Sequence, residues 1–291
     1  MNETVTVAAE AMATRFEIAL HGGPVATLRA GAEEALGEIA RLESMLSLYQ
    51  PTSEISHINK RGAYEPVPVS PEVFMLLERS IELSNQTKGA FDITIAPLIK
   101  CWRFMNDTGE VPTEDAIAQA LEYTGSHQLR LNQSDTTVQL AREGVMLDLG
   151  SVGKGYALEQ AAKLLHENEF ENFLIHGGTS TICAAGKQAD GTPWRVAVEH
   201  QDEDQPPLHI VDLENESLSV SGIGGKSFID EKGIEQGHVI DPRTGRPTQA
   251  ARVAAVVCES ATESDAWATA LMVAPKLIPP SHIRVCDQID S

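Results

Sequence analysis

The sequence predicts an α+β fold, and three observations carry that prediction. Helical periodicity is strongest before residue 88, short strand-like runs dominate beyond Asp107, and the two kinds of segment are partly segregated rather than strictly alternating. A length of 291 residues with 42% hydrophobic, 22% charged and 5% aromatic residues fits one large globular domain or two lobes sharing a site.

Residues 14–21 alternate apolar and polar like a half-buried strand until Gly22-Gly23-Pro24 breaks the run. Across 25–46 the apolar residues Val25, Leu28, Ala32, Ala35, Leu36, Ile39, Leu42 and Met45 recur at three and four, which predicts a long amphipathic helix. The polar stretch from Tyr49 to Glu54 reads as a loop. A second helix is predicted over 71–87 with Val73, Leu76, Leu77 and Ile81 inward. Short strands follow at 127–132, 136–140 and 145–149, then a glycine loop from Gly150 to Gly155 and a helix over 156–168. Further strands are expected near 173–176, 194–199, 208–213, 235–240 and 253–258, with a charged surface turn at 201–207. The tail after Ala274 is short and broken by proline. No internal repeat, low-complexity segment or lobe boundary is visible.

Charge and cysteine content narrow the function. Forty-two acids against 22 bases leave a net charge of −20, which repels nucleic acid and anionic lipid surfaces. A small anionic ligand would need local donors or a metal ion to overcome that field. Cys101, Cys183, Cys258 and Cys286 form no CxxC or Cys/His cluster, so they are expected to be free and to pack as small apolar residues. The first twenty residues contain Glu3, Glu10, Arg15 and Glu17 and so no export-type apolar segment. No apolar run approaches the roughly 20 residues of a membrane span. A cytoplasmic location is the expectation for the chain as it stands, and a periplasmic or membrane-associated one if a leader has been removed.

Four constellations could carry chemistry. In Leu147-Asp148-Leu149-Gly150-Ser151-Val152-Gly153-Lys154-Gly155 a predicted strand enters a glycine turn and then a helix, so backbone N–H groups converge on one point. That suits a phosphate, although the spacing is not a Walker A loop and the glycines would equally serve a tight connection. In Glu263-Ser264-Asp265-Ala266-Trp267-Ala268-Thr269, Asp265 and Thr269 stand four apart on one helix face. Both could reach one hard cation, or Asp265 could simply be an acid near a helix start. His238 leads the turn Asp241-Pro242-Arg243-Thr244-Gly245, where an imidazole suited to proton transfer could sit at a cleft or at a satisfied rim. In Gly89-Ala90-Phe91-Asp92, an aromatic beside an acid could stack on and hydrogen-bond a flat heterocycle, or fill core. No G-x-S-x-G elbow and no histidine pair at metal spacing occurs, which weighs against serine and zinc hydrolases.

Read in order, these segments resemble the ApbE family, the FAD:protein FMN transferases. The resemblance runs from Ala11-Met12-Ala13-Thr14 through MLSLY at Met45–Tyr49, GAFDITIAPL at Gly89–Leu98, LDLGSVGKGYAL at Leu147–Leu158 and HVIDPRTGRP at His238–Pro247 to ESDAWATAL at Glu263–Leu271. It implies a two-lobed α+β fold with a flavin and metal site in the cleft between lobes. It also implies a magnesium-dependent transfer of FMN from FAD to a Ser or Thr hydroxyl of an acceptor flavoprotein with a short glycine-containing motif, releasing AMP.

By the same resemblance Met12, Tyr49, Ala90, Phe91 and Asp92 would line the flavin site, with Asp148 and Lys154 beside the cofactor and Val239 or Ile240 touching it through main chain. Ser151, Asp265 and Thr269 match metal-holding positions, and His238 matches the base. The sequence departs from the family pattern at Gly224-Gly225, in its short tail and in lacking a lipoprotein leader. A pyrophosphatase that splits FAD to FMN and AMP, and a non-enzymatic flavin-binding protein, are the competing functions.

Overall fold

A computed structural model describes residues 3–106, 109–200, 205–222 and 227–290. The alternation at 14–21 is one arm of a hairpin in which β1 (Val5–Ala11) pairs antiparallel with β2 (Thr14–Leu20). Both turn residues, Met12 and Ala13, have positive φ, as a tight hairpin demands, although neither is glycine. Next come α1 (Val25–Leu46), α2 (Glu54–Arg61), the short β3 (Val67–Pro68), α3 (Pro71–Gln86), α4 (Ala96–Cys101) and α5 (Glu114–Leu121). β4 (Leu129–Asn132) and β5 (Thr137–Leu140) form a small sheet with β3, and α6 (Gly153–Glu167) follows.

The second half supplies β6 (Phe173–Gly177), β7 (Thr181–Ala185), the hairpin β8 (Trp194–Val198) and β9 (His209–Leu213), and β10 (Ser217–Gly222). After them come the pair β11 (Ser227–Ile229) and β12 (Glu235–Gly237), the pair β13 (Ile240–Asp241) and β14 (Arg246–Pro247), then β15 (Ala251–Cys258), α7 (Ala261–Val273) and β16 (Arg284–Asp290).

The frame is a seven-stranded antiparallel sheet in the order β1-β2-β6-β7-β10-β15-β16. One face packs against α1, α6 and α7 in the main core, where Phe16, Ile18, Leu28, Ile39, Phe173 and Trp267 are fully buried. The other face is covered by the β8–β9 hairpin, whose Trp194, Val196, Val211 and Leu213 meet Leu174, Ile182, Leu218 and Val257. Central strands buried on both faces lose their polar alternation. A third cluster joins Leu98, Trp102 and Phe104 to Ile117 of α5 and Ile240 of β13, and the Trp102 indole donates to Gly245 O at 2.8 Å. Gly245 has φ +71, and an added Cβ would lie 2.7 Å from Ile117, so glycine is required at this close approach.

The α+β class is borne out, with several corrections. Residues 145–149 run extended but join no ladder. Their backbone is satisfied by Asn59, whose amide donates to Leu147 O and accepts from Leu147 N, and by Ile93 O, which accepts from Asp148 N. The α6 helix starts at Gly153, three residues earlier than expected. The strand expected at 235–240 is two short strands parted at His238-Val239. Val25 is exposed at the start of α1, and Ile81 is only partly buried. The broken tail nonetheless builds β16, which pairs with β15 at the sheet edge. Among the described residues the four cysteines form no disulfide. Cys183 and Cys258 are buried, and burial pushes their thiols up to about 11 and about 12, while Cys101 and Cys286 are only partly buried. Among the described residues no helix is long and apolar enough to cross a membrane. Gly224, Gly225 and part of the 201–207 turn lie outside the described residues.

Candidate functional site

The starts of α6 and α7 are built against one another. Helix α6 has no side-chain cap of its own at Val152. One of its first-turn N–H groups is met instead from α7, where the Asp265 carboxylate accepts from Gly155 N at 3.0 Å. Only glycine permits this approach, because a Cβ on residue 155 would sit 2.2 Å from Ala261 O and 2.8 Å from Asp265 Cβ. Of the two roles open to the glycine loop, Gly155 therefore serves close helix packing. Asp265 is indeed an acid at a helix start, but the helix is α6 rather than its own. It remains on the cavity wall at 5% exposure.

One turn along α7, Thr269 Oγ1 lies 3.4 Å from Ser221 Oγ of β10. Asp265, Thr269, Ser151 and Ser221 line the same cavity and offer only oxygen donors. Among the described residues no group of three His, Cys, Asp or Glu is arranged to hold a metal ion. One buried carboxylate with hydroxyls around it matches the donor set of magnesium, which uses one or two carboxylates and completes its shell with water and phosphate oxygens.

The cavity has a volume of about 960 Å³, at the upper end of the ~300–1,000 Å³ typical of small-molecule sites. One wall comes from the third cluster through Ile99, Phe104 and Ile240, together with Ala90, Phe91, Asp92, Val239 and Pro242. Further lining comes from Val220 and Val253 of the sheet, from Ser180 between β6 and β7, and from the α6 start at Gly150, Ser151 and Lys154. Tyr49, 65% exposed, and the exposed His238 also border it.

Every residue expected in the site lines this cavity except Met12. Met12 sits in the β1–β2 turn, partly buried against the main core. Asp92 lines the cavity with its carboxylate bonded to the protein. Its Oδ1 accepts from Thr94 N at 2.9 Å and Thr94 Oγ1 at 2.6 Å, and its Oδ2 from Ser84 Oγ at 3.0 Å and Ser126 N at 2.7 Å. A carboxylate has about four acceptor positions, so Asp92 is spent on the protein and ties the end of α3 to the Gly125 turn. Phe91, 1% exposed, is core as much as cavity wall.

Asp148 behaves differently. Burial pushes its carboxyl above the usual range, against the opposing pull of the Gly150 N–H, 2.7 Å away, and of the Lys154 ammonium. Lys154 Nζ itself lies 3.5 Å from Gly150 O at the α6 start. A carboxylate kept in an unfavourable setting on a cavity wall is a mark of a functional position.

The sequence reading missed Thr179, Ser180, Ser221, Glu199 and His200 on the sheet side. Thr179, Ser180, Glu199 and His200 follow strand ends and Ser221 lies within β10, all at positions that depend on sheet order, and no spacing signal marks them.

The ApbE family model matches residues 12–280. The FAD:protein FMN transferase of Klebsiella pneumoniae is 31% identical over 268 residues, covering 90% of this chain and 76% of that protein. The Escherichia coli K12 protein of the same name is 31% identical, covering 79% of this chain and 67% of its own. Among solved structures, the ApbE protein of Thermotoga maritima superposes with a TM-score of 0.85 at 26% identity, covering 93% of this chain and 87% of that one. The flavin transferase ApbE of Vibrio cholerae does so with a TM-score of 0.79 at 28% identity, covering 94% and 87%.

Proposed function

We propose, from the premise that this chain belongs to the ApbE family, that it is an FMN transferase which moves FMN from FAD onto a Ser or Thr hydroxyl of an acceptor flavoprotein, with magnesium, releasing AMP. The observation that carries this reading is the single cavity that collects, from five separate stretches of sequence, every expected site residue but Met12. Its volume suits a dinucleotide, and its floor combines a helix N-terminus, Lys154 and a hard-donor cluster, which together offset the −20 background for a diphosphate.

In this reading the acceptor hydroxyl attacks the phosphorus of the FMN half. The pyrophosphate bond breaks and AMP leaves with the bridging oxygen. His238, on the cavity rim, takes the hydroxyl proton, since Ser and Thr are poor nucleophiles until a base removes it. Lys154, at the positive end of α6, holds the diphosphate, and Val239 and Ile240 bring main-chain groups to the flavin. Asp265, Thr269 and Ser151 would hold Mg2+, which when bound neutralises charge developing on the phosphates. Asp92 acts by fixing the Ala90-Phe91 wall rather than by touching flavin with its carboxylate.

The test is incubation with FAD, Mg2+ and an acceptor domain carrying a glycine-containing Ser/Thr site. The expected result is acceptor mass increased by FMN with one AMP released per transfer, and loss of both in Asp265→Ala at an unchanged circular dichroism spectrum. FMN and AMP formed without acceptor labelling would replace transfer by FAD hydrolysis. Bound FAD with no product would reduce the protein to a flavin carrier. Full magnesium-dependent activity in Asp265→Ala would refute the metal assignment.

A further inference from the structure

Helix α7 is buried on every side: Ala261, Thr262, Asp265, Ala266, Trp267, Ala268, Ala270 and Met272 all lie below the surface. A helix buried all round carries no single apolar stripe to mark its orientation, and the close packing of side chains such as Trp267 shares with polar contacts the work of fixing its rotation. Asp265 and Thr269 face the cavity only at one rotation. One of the polar contacts that help set it comes from a residue outside the site.

Glu159, in the middle of α6, reaches the start of α7. Its Oε2 accepts from Ser260 Oγ at 2.6 Å and from Thr262 N at 3.1 Å. The Ser260 hydroxyl in turn accepts from Glu263 N at 3.2 Å as the N-cap of α7. The two helices are thus cross-capped. A carboxylate of α7, Asp265, sits on the first turn of α6, and a carboxylate of α6, Glu159, sits on the first turn of α7. Gly155 and Glu159 are four apart, so both contacts fall on the same face of α6, with the side-chain-free Gly155 letting the helices close.

We infer that Glu159 is a positioning residue, which sets the rotation and register of α7 and so aims Asp265 and Thr269 at the cavity. The inference rests on the functional reading above for what those two residues hold. It does not rest on that reading for the geometry.

The test compares Glu159→Ala with Glu159→Gln, whose amide oxygen can still accept from Ser260 and Thr262. Calorimetric titration of Mg2+ into the FAD complex, well below the melting temperature of each variant, should show Glu159→Ala weakened about ten- to hundredfold, the usual scale for partners that orient a metal ligand, with FAD affinity within a few-fold of the unaltered chain. Glu159→Gln should recover most of the loss. In parallel, amide hydrogen exchange should show the Gly155 N–H deprotected in Glu159→Ala and protected in Glu159→Gln.

A lower melting temperature with unchanged Mg2+ affinity and unchanged Gly155 exchange would make Glu159 merely structural and overturn the inference. If Glu159→Ala does not fold, Ser260→Ala, which removes one of the two donors, must show the same change at smaller size, and its absence overturns the inference equally. Failure of the unaltered chain to take up Mg2+ would sink the functional reading, while Gly155 exchange would still decide whether Glu159 holds Asp265 in place.

Discussion

Replacing Gly155 with alanine sets two effects of opposite sign against each other, and the structure says which wins. In an open helix the change stabilises by up to about 1 kcal/mol, because alanine is the better helix former. At residue 155 the new methyl would lie 2.2 Å from Ala261 O, 2.8 Å from Ala261 C and 2.8 Å from Asp265 Cβ. Two of these are backbone atoms that no side-chain rotation can move. Restoring an ordinary contact of ~3.5 Å parts α6 from α7 by more than about 1 Å.

Overpacking of this kind costs about 1–3 kcal/mol, and Gly155 stands in the first helical turn, where the gain in propensity is smallest. The net expectation is a loss of about 1–2 kcal/mol, read as a fall of a few degrees in Tm by calorimetry. Activity should suffer more than stability, since a misplacement of about 1 Å in a site can cost about a hundredfold in rate. Gly37→Ala is the matched control: it lies on the exposed face of α1 with nothing within 4 Å of the added methyl, and should stabilise by about 0.5–1 kcal/mol. If Gly155→Ala is as stable as Gly37→Ala and transfers FMN at an undiminished rate, the tight α6–α7 junction is not what positions Asp265.

Three further outcomes are expected. His238→Ala should slow transfer by about two to four orders of magnitude with FAD affinity kept within a few-fold, and near-normal turnover would leave Asp241 or a water as the base. Asp148 has a carboxyl raised above its ordinary 3.8, so folding favours its protonated form. That stability is present below 3.8 and is lost as pH rises through the raised native value. Asp148→Asn should therefore raise Tm at pH 7 and do so less near pH 3.5 while impairing transfer, and an equal or larger gain at the acidic end would contradict the burial of this group. Asp92→Ala strands three buried donors and a partly buried one and should destabilise by about 3–5 kcal/mol in urea titration, whereas a loss under about 1 kcal/mol would show that water replaces the carboxylate without difficulty.

Local pattern determined much of this protein. The period of three and four across α1, with Leu28, Ala32, Ile39 and Leu42 inward, needs no partner to be legible, because one face of a helix repeats every 3.6 residues. The alternation of β2 and the Asp265/Thr269 spacing on one helix face are of the same kind. The ordered motifs also identified the family before any cavity was visible, since their residue types and order survive without coordinates.

What the sequence left open depends on contacts between distant segments. β7 and β15 are sandwiched between two cores and lose their alternation, so only the layer built by β8 and β9 explains their character. The backbone at Leu147 is satisfied by the side chain of Asn59, 88 residues away, so a run that reads as a strand stays out of the sheet. Asp92 reads as a ligand-facing acid until Ser84, Thr94 and Ser126 are seen to occupy its oxygens. Asp265 reads as an acid of its own helix until Gly155 brings the start of α6 against it. In the last three cases a polar atom has several possible partners in the unfolded chain, and only the packed sheet and helices decide which of them come within reach.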